Sequence, residues 1–492
     1  MFNLLHKISE YYRTAPVQIK ASVWFLVCIF MQRGISVITT PIFTRLLSTS
    51  EYGQYGVFTS WLGIASAIVT LNLCYGMYSQ GLIKFEEDRD RFSSSLQGLA
   101  LVLVTLWTAA YVIVREAINA LTGLTTAQTL LLFVMVWTST VFNFWATSKR
   151  VNYDYRLLVV VTIAVSLLKP VLGIVLVLYS DDKVTARILG LALVELVGYG
   201  WMFFVQIRRG KTFCSWRYWK YALLFCIPLV PHYLSQVVLS GVNRIMIANM
   251  VGDSQAGIYN LAYSISILAT LLNTALVQTI EPWMFRSMKA KRIERMKTVA
   301  YPALIVAATV NLLIIAFAPE VVSVFAPQEY LEAIWVIPPI SISVFFSFSY
   351  VLYAEFEFYF EKTRYLSLAT LAGAVLNVVL NLLLIPVFGY LAAGYVTLVC
   401  YAVFALLHYV LMRKICRQQF GTIPYSAKMV GGLSLTFTLV GLSYLALYEN
   451  MALRYGITAL LLLVVLVKRK NVVHELKRLV SARKDKEQPP QD

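Results

Sequence analysis

The amino-acid sequence predicts an all-α polytopic membrane protein with about 14 transmembrane helices. Of the 492 residues, 59% are apolar and only 14% are charged, whereas soluble domains carry about 25% charged residues. The mean hydropathy is +0.70, and the apolar residues form runs of roughly 18–25 residues, the length at which a helix crosses a bilayer. Alternation of apolar and polar residues, the pattern of a membrane β-strand, is not seen.

Fourteen apolar runs follow one another along the chain. The first follows a polar segment of about twenty residues without a small-residue cleavage site, so no cleaved signal peptide is predicted. The seventh run contains Pro228 and Pro231, which predict a helix bend. The predicted spans are 21–44, 55–77, 96–116, 128–147, 157–179, 187–207, 221–250, 258–280, 298–317, 332–354, 363–386, 390–412, 427–447 and 455–467.

Lysine and arginine predict the orientation of these spans. With the N-terminus placed in the cytoplasm and basic residues at span ends counted with the adjoining segment, 34 of the 42 basic residues are cytoplasmic and five are external. The other three, Arg33, Lys169 and Arg244, lie well inside spans. Because basic residues concentrate in cytoplasmic loops, both termini are expected there, in a multi-pass protein of the cytoplasmic membrane. The net charge of +17 then reflects topology and contact with anionic lipids, and nucleic acid is not an expected partner.

The sequence also contains a long internal repeat. A shift of 204 positions places Gly53 on Gly257 and superimposes the starts of spans one to six on those of spans seven to twelve. Each repeat has an even number of spans, which indicates two parallel six-helix lobes around a central cavity, followed by two C-terminal helices. The predicted domains are the N-lobe at 1–207, a basic linker at 208–220, the C-lobe at 221–412, spans thirteen and fourteen at 413–470, and a cytoplasmic tail at 471–492.

Several function classes find no support in the sequence. The six cysteines show no CxxC spacing, and no GxxxxGK[ST] loop for phosphate is present. No segment between spans is long enough for a nucleotide-binding or catalytic domain, so we do not expect an enzyme, a metal site or a cofactor. A membrane glycosyltransferase or ligase would need a carboxylate pair or a histidine on a large external loop.

Four motifs of the sequence carry a resemblance to a known family. They are PIFTRLLSTSEYGQYGVFTSW (41–61), NRIMIANMVGDSQAGIYNLAYS (243–264), APEVVSVFAPQEYLEA (318–333) and LIPVFGYLAAGYVTLV (384–399). Together they are similar to the polysaccharide repeat-unit flippases (Wzx type) of the multidrug/oligosaccharidyl-lipid/polysaccharide exporter superfamily. The resemblance implies a substrate, an oligosaccharide on an undecaprenyl-pyrophosphate carrier. It also implies a pathway, the synthesis of lipopolysaccharide, capsule or exopolysaccharide, with a polymerase and a chain-length regulator as further partners.

Arginines within or beside the spans are the first candidates for substrate binding. Arg33 lies near the middle of span one, where a charge costs about 2.5–3.5 kcal/mol unless it meets water or a partner. Its planar guanidinium suits the oxygens of a pyrophosphate, although a structural pairing is the alternative. Arg244 in span seven and Arg45 at the outer end of span one are further candidates, with snorkelling and interfacial anchoring as their alternatives.

Lys169 and Glu195 are the second pair of candidates. Lys169 lies 14 residues before Lys183 in the predicted hairpin and Glu195 lies 12 residues after it, so both should lie at nearly the same depth. They form either a structural ion pair or a working site, in which Lys169 binds an anion and Glu195 takes a proton or a sodium ion.

The remaining candidates lie at helix ends and turns. Glu281, with Glu355 and Glu357, is expected at cytoplasmic helix ends, either in salt bridges with loop arginines or as a cation site. Gly53 and Gly257 are expected to permit tight turns. Pro228 and Pro231 mark a bend that is either static or moves between states.

Three other functions stay open at this point. One is a cation-coupled multidrug exporter of the same superfamily, for which acidic and aromatic cavity residues would be expected. A second is a lipid II flippase, and a third is a scaffold for polysaccharide assembly. The positive charges within the spans favour the repeat-unit flippase over the exporter and the scaffold, and the four motifs resemble the polysaccharide group more than the lipid II flippases.

Overall fold

The computed structural model describes residues 16–467, apart from the side chains of Ile19 and of residues 363–367 and 464–467. Within this range the chain forms helices and no β-strand, which confirms the predicted all-α class. The predicted cytoplasmic tail at 471–492 and the first fifteen residues lie outside the described residues.

The chain divides into two compact units, and the division follows Ala248. In unit one, a single 3-10 turn, Ile227–Leu229, separates α9 from α10, and α10 ends two residues beyond the division. The helices are α1 Val17–Leu46, α2 Thr49–Val69, α3 Met77–Lys84, α4 Arg89–Ile113, α5 Arg115–Thr122, α6 Thr126–Val151, α7 Tyr155–Leu178, α8 Lys183–Gly210, α9 Trp216–Cys226 and α10 Val230–Met250.

Unit two contains nine helices in its described part. Two 3-10 segments, Ile293–Met296 and Gln328–Trp335, precede α13 and α15. The helices are α11 Asp253–Ser266, α12 Ala269–Lys289, α13 Lys297–Ala316, α14 Ala318–Phe325, α15 Ile337–Tyr359, α16 Thr363–Phe388, α17 Leu391–Phe420, α18 Ala427–Leu447 and α19 Met451–Val467.

Twelve helical segments in the described residues are long and apolar enough to cross a membrane. They correspond to the predicted spans other than the second and the fourteenth. The fourteenth matches the shorter apolar helix Met451–Leu463. The second, predicted at 55–77, corresponds to α2, which ends at Val69 because Leu71 and Asn72 adopt left-handed backbone with φ of 51° and 52°.

The order of elements in unit one recurs in unit two at the shift of 204 positions. Helix α2 begins at Thr49 and α11 at Asp253. Helix α4 begins at Arg89, and the 3-10 turn before α13 begins at Ile293. The two short helices α5 and α14 follow in the same place in each series. The repeat therefore preserves the helical scaffold.

The turn between α1 and α2 is built from polar side chains. Ser48 caps α2 by accepting from the Glu51 amide at 3.2 Å, while the Ser48 amide donates to the Glu51 carboxylate at 2.7 Å. This reciprocal capping box satisfies two amides that the helix leaves open. The expectation that Gly53 and Gly257 form turns is wrong: both lie buried inside helices, where glycine permits close packing.

Small residues hold α7 and α8 together in unit one. A Cβ atom on Gly190 would lie 2.8 Å from the Cα of Gly173, so these two helices approach backbone to backbone, as is common in membrane proteins. The hairpin that results places Lys169 of α7 opposite Glu195 of α8. The α6 helix packs against α8 from another side and completes the surroundings of Glu195.

Helix α15 forms the centre of unit two. It packs against α17, α13, α12 and α18, and its residues Ile337, Ile340, Phe345 and Phe356 are fully buried. Polar side chains on this helix therefore have their partners within unit two, as the bond between the Glu357 carboxylate and His408 shows.

Candidate functional site

Lys169 and Glu195 meet in a buried polar cluster of unit one. The Lys169 ammonium lies 2.6 Å from Glu195 Oε1, and the glutamate side chain is only 6% exposed. The hydroxyls of Thr138 and Ser139 on α6 donate to Glu195 Oε2, at 2.9 Å and 3.3 Å. Both carboxylate oxygens thus have partners, which is what an ionised group needs when it is buried.

Aromatic rings border this cluster. The Lys169 ammonium lies 5.6 Å from the centre of the Tyr199 ring, within the range of a cation–π contact. Tyr199 in turn stacks on Phe142 with ring centres 4.2 Å apart. About a quarter of the Lys169 side chain is exposed, so the ammonium end of the pair is the more accessible one.

Arg244 lies at the contact between α10 and α2. Its Nη1 donates to the Ser60 hydroxyl at 3.2 Å, and the side chain is half-buried. The helices approach closely here, because a Cβ on Gly241 would meet Ser60 at 3.6 Å and one on Gly63 would meet Val237 at 3.1 Å. The guanidinium is therefore positioned by two helices of unit one.

Arg33 and Arg45 are both exposed side chains of α1. Arg45 donates from Nη1 to the carbonyl of Pro41 at 2.8 Å, a bond within its own helix that suits an anchoring residue. Arg33 projects from a helix that packs little of its surface inside unit one. The roles of Arg33, Arg45 and Arg244 in binding stay predictions.

The acidic residues of unit two depart from expectation. Glu357 is fully buried and bonds through Oε1 to Nδ1 of His408 at 2.7 Å, so the predicted salt bridge with a loop arginine is wrong for this residue. The buried α15–α17 interface brings the two side chains together across 51 positions of sequence. Glu355 is also buried, and Glu281 on α12 interacts with it as a like charge.

Pro228 lies in the 3-10 turn between α9 and α10, and Pro231 lies in the first turn of α10. Proline lacks the amide that would continue the α-helical bonding, which explains why the helix changes geometry at this point. Motion about this turn stays a prediction.

Arg187 and Arg454 lie next to predicted external segments, and both side chains are buried. Arg187, 8% exposed, lies 3.8 Å from the ring centre of Phe43 and 3.5 Å from that of Tyr55. Arg454, 2% exposed, pairs with Glu320. The sequence signal that could have indicated a buried charge was an arginine beside an apolar run at Arg187 and Arg454. At His408 it was a histidine inside a predicted span.

Cysteine, histidine and carboxylate side chains form no group of three with metal-binding geometry among the described residues. The charged groups described above are ion pairs and arginines held in helices.

Residues 19–288, more than half of the chain, match the family described as polysaccharide biosynthesis protein. The chain belongs to this family. Protein 1 of the Lsg locus of Haemophilus influenzae is 22% identical over 376 residues, which cover 73% of this chain and 89% of that protein.

Two solved structures resemble this member of the polysaccharide biosynthesis family. An inward-facing multidrug resistance MATE family transporter of the MOP superfamily has a TM-score of 0.61 at 15% identity, covering 82% of this chain and 99% of that one. The lipid II flippase MurJ, in an inward closed conformation, has a TM-score of 0.61 at 14% identity, covering 91% and 99%. The chain therefore has the fold of these membrane transporters, as its resemblance to the superfamily implied.

Proposed function

We propose that this chain turns an oligosaccharide on an undecaprenyl-pyrophosphate carrier from the inner to the outer leaflet of the cytoplasmic membrane. The observation that carries the proposal is the family match over residues 19–288, joined to a fold shared with a lipid II flippase. The product would serve the assembly of lipopolysaccharide, capsule or exopolysaccharide. A polymerase and a chain-length regulator are then expected partners, besides the lipid-linked oligosaccharide and the membrane lipids.

The ligand chemistry rests on arginines in apolar helices. An arginine in such a helix is costly unless it faces water or a partner, and a guanidinium gives a pyrophosphate two parallel hydrogen bonds. Arg33, exposed on α1, is the first choice for this role. Arg244, held at Ser60, supplies a second cation at a fixed position, and Arg45 is a weaker candidate because its guanidinium bonds the helix carbonyl of Pro41.

Transport by alternating access needs an energy source, and a proton or sodium gradient is proposed. Lys169 and Glu195 support this step because a cation that reached Glu195 would compete directly with the Lys169 ammonium at 2.6 Å. Release of Lys169 would free a positive charge for an anionic ligand. Glu281, close enough to Glu355 to repel it, is the corresponding candidate in unit two.

The experiment replaces Arg33 and Arg244 singly by alanine, with Arg115→Ala as the control. Arg115 is an exposed residue at the start of α5, at the outer end of predicted span three, and its carboxylate partner Glu116 lies at 4.0 Å. A lost charged hydrogen bond is worth about 1.5–3 kcal/mol, so surface polysaccharide should fall at least about tenfold in Arg33→Ala at equal expression. Lipid-linked oligosaccharide should accumulate in the inner leaflet.

Other results would change the proposal. Unchanged polysaccharide in both alanine variants would remove the cationic-cavity mechanism. Full activity of Arg33→Lys would exclude bidentate recognition while preserving the need for charge. Drug sensitivity of the deletion strain with normal polysaccharide would favour the multidrug exporter.

The predicted orientation has its own test in a native cysteine. Cys214, in the 208–220 linker, is exposed, whereas the other five cysteines are buried or partly buried. We expect a membrane-impermeant maleimide to label Cys214 in inside-out vesicles and not in intact cells. Cys214→Ser is the control, and labelling in intact cells would reverse the topology.

A further inference from the structure

A small cavity in unit two is lined by none of the candidate substrate-binding or coupling residues. It has a volume of about 220 Å³ and opens where the start of α13, the C-terminal part of α17 and the loop before α18 come together. All of its lining residues belong to segments that the distribution of basic residues assigns to the cytoplasmic side or to the adjoining helix ends.

The cavity is positively charged. Lys297 of α13 and Arg413 of α17 line it, and no carboxylate does so among the described residues. The Arg413 guanidinium lies 5.9 Å from the ring centre of Tyr409, which restricts the directions in which it can point. Glu355 interacts electrostatically with Tyr425 but is not part of the lining.

Three tyrosines contribute to the same walls, and one of them offers a hydroxyl donor. The Tyr301 hydroxyl accepts from the Ser426 amide at 2.8 Å, so its own proton is available for an acceptor. The Tyr409 hydroxyl donates to the Tyr425 carbonyl at 2.9 Å. Tyr425 is only 1% exposed and its hydroxyl is buried, so the tyrosine donor that a ligand in the cavity can reach is Tyr301.

The N-terminus of α18 adds a partial positive charge. Ser426 and Ala427, where this 21-residue helix begins, line the cavity. The Ser426 side chain does not cap the helix, so amides of the first turn have no side-chain acceptor. Free first-turn amides and the helix dipole together favour an anion.

We propose that this cavity binds a phosphate group, presented in the membrane by the headgroup of an anionic phospholipid. Two cations, the Tyr301 hydroxyl and helix amides are donors that suit a phosphate, and the absence of a carboxylate from the described lining removes repulsion. Basic pockets between helices at the cytoplasmic surface are typical of lipid headgroup sites. The assignment does not depend on the transported substrate.

The test uses the purified full-length chain in detergent and native mass spectrometry. The probes are phosphatidylglycerol, diacylglycerol with the same acyl chains, and inorganic phosphate. In Lys297→Gln/Arg413→Gln the dissociation constant for phosphatidylglycerol should rise at least about tenfold, since two charged donors are lost. Tyr301→Phe, which removes the hydroxyl donor on the wall, should raise it about threefold. Lys414→Gln is the matched control, because Lys414 neighbours Arg413, is exposed and does not line the cavity.

Each further outcome is decisive. Equal binding of phosphatidylglycerol by wild type and the double variant would overturn the site, as would equal losses in the Lys414→Gln control. Binding of diacylglycerol as tightly as phosphatidylglycerol would show that the acyl chains alone are bound. If inorganic phosphate bound as tightly as phosphatidylglycerol, the proposal that the phosphate group comes from a lipid headgroup would be wrong. Should the double variant fail to elute as a folded species, Lys297→Gln alone, at an exposed position, gives the same comparison.

Discussion

Two buried carboxylates, one in each unit, have opposite surroundings. Glu195 in unit one has a partner for each oxygen: the Lys169 ammonium for Oε1 and the Thr138 and Ser139 hydroxyls for Oε2. Glu357 in unit two has one bond, to His408. Its Oε2 and the Nε2 of His408 have no hydrogen-bond partner among the described residues.

The difference shows that burial alone does not define how a charged group behaves. Glu195 is as buried as a core residue, and yet its charge is compensated because three side chains from two neighbouring helices converge on it. Glu357 is at least as buried and accepts fewer hydrogen bonds, so replacing its carboxylate by a neutral amide gives up fewer bonds than the same change at Glu195. The same substitution should therefore have different effects at the two positions.

The largest effect on stability is expected when the Lys169–Glu195 pair loses its lysine. Lys169→Met leaves Glu195 buried without its ammonium and should lower the free energy of unfolding by about 3–5 kcal/mol. The double variant Lys169→Met/Glu195→Met should recover most of this loss, because an apolar pair of similar volume replaces the ions. The measurement is SDS-induced unfolding in micelles.

Lys183→Met is the control for this pair, since the Lys183 ammonium bonds only the Leu46 carbonyl and its loss should cost about 1 kcal/mol. Surface polysaccharide then separates the two interpretations of the pair. If the stable double variant still produces surface polysaccharide, the ion pair has a structural role. If it is stable and produces none, the pair takes part in coupling.

An intermediate effect is expected when both carboxylates are neutralised in the same way. Glu195→Gln weakens bonds from three donors and should cost about 1.5–3 kcal/mol, whereas Glu357→Gln should cost less than about 1 kcal/mol. SDS unfolding of the two variants in parallel checks the difference. A larger loss at Glu357 would reverse the comparison and indicate a partner for its second oxygen.

The smallest effect on stability is expected when one hydroxyl that donates to Glu195 is removed. Thr138→Val removes one donor to Glu195 while keeping the shape of the side chain, and the remaining Ser139 hydroxyl limits the loss to about 1 kcal/mol. Thr140→Val is the matched control, because the Thr140 hydroxyl bonds only the Val136 carbonyl of its own helix. Equal losses in both variants would show that the hydroxyl of Thr138 adds nothing specific to Glu195.

Part of the candidate site could be predicted because it is local. Lys169 and Glu195 lie on two helices joined by a short turn, so counting residues from the turn gives their relative depth. Neither the hydroxyls of Thr138 and Ser139 nor the stacking of Tyr199 on Phe142 could be found in this way. Thr138, Ser139 and Phe142 come from α6, whose rotation about its own axis is decided by packing.

The partners of the acidic residues in unit two needed the tertiary structure. Glu357 and His408 lie on α15 and α17, which are separated by another helix, and many pairings are compatible with the sequence. Proximity to loop arginines was a reasonable expectation for a helix end, but the closely packed α15–α17 interface directs the Glu357 side chain inward. The contacts of Arg187 with the rings of Phe43 and Tyr55 likewise could not be predicted from the sequence, because they depend on how α8 packs against α1 and α2.

The sequence by itself determined the membrane location, the all-α class, the order of helices and the 204-residue repeat. These follow from the length of apolar runs, because a bilayer requires a helix of a fixed length whose backbone bonds are satisfied internally. Only the tertiary structure decided which side chains meet: the two oxygens of Glu195, the single bond of Glu357, and the cations and hydroxyls around the small cavity. Such contacts depend on the rotation and close approach of helices, which backbone-to-backbone packing at residues such as Gly173 and Gly190 sets and which hydropathy does not record.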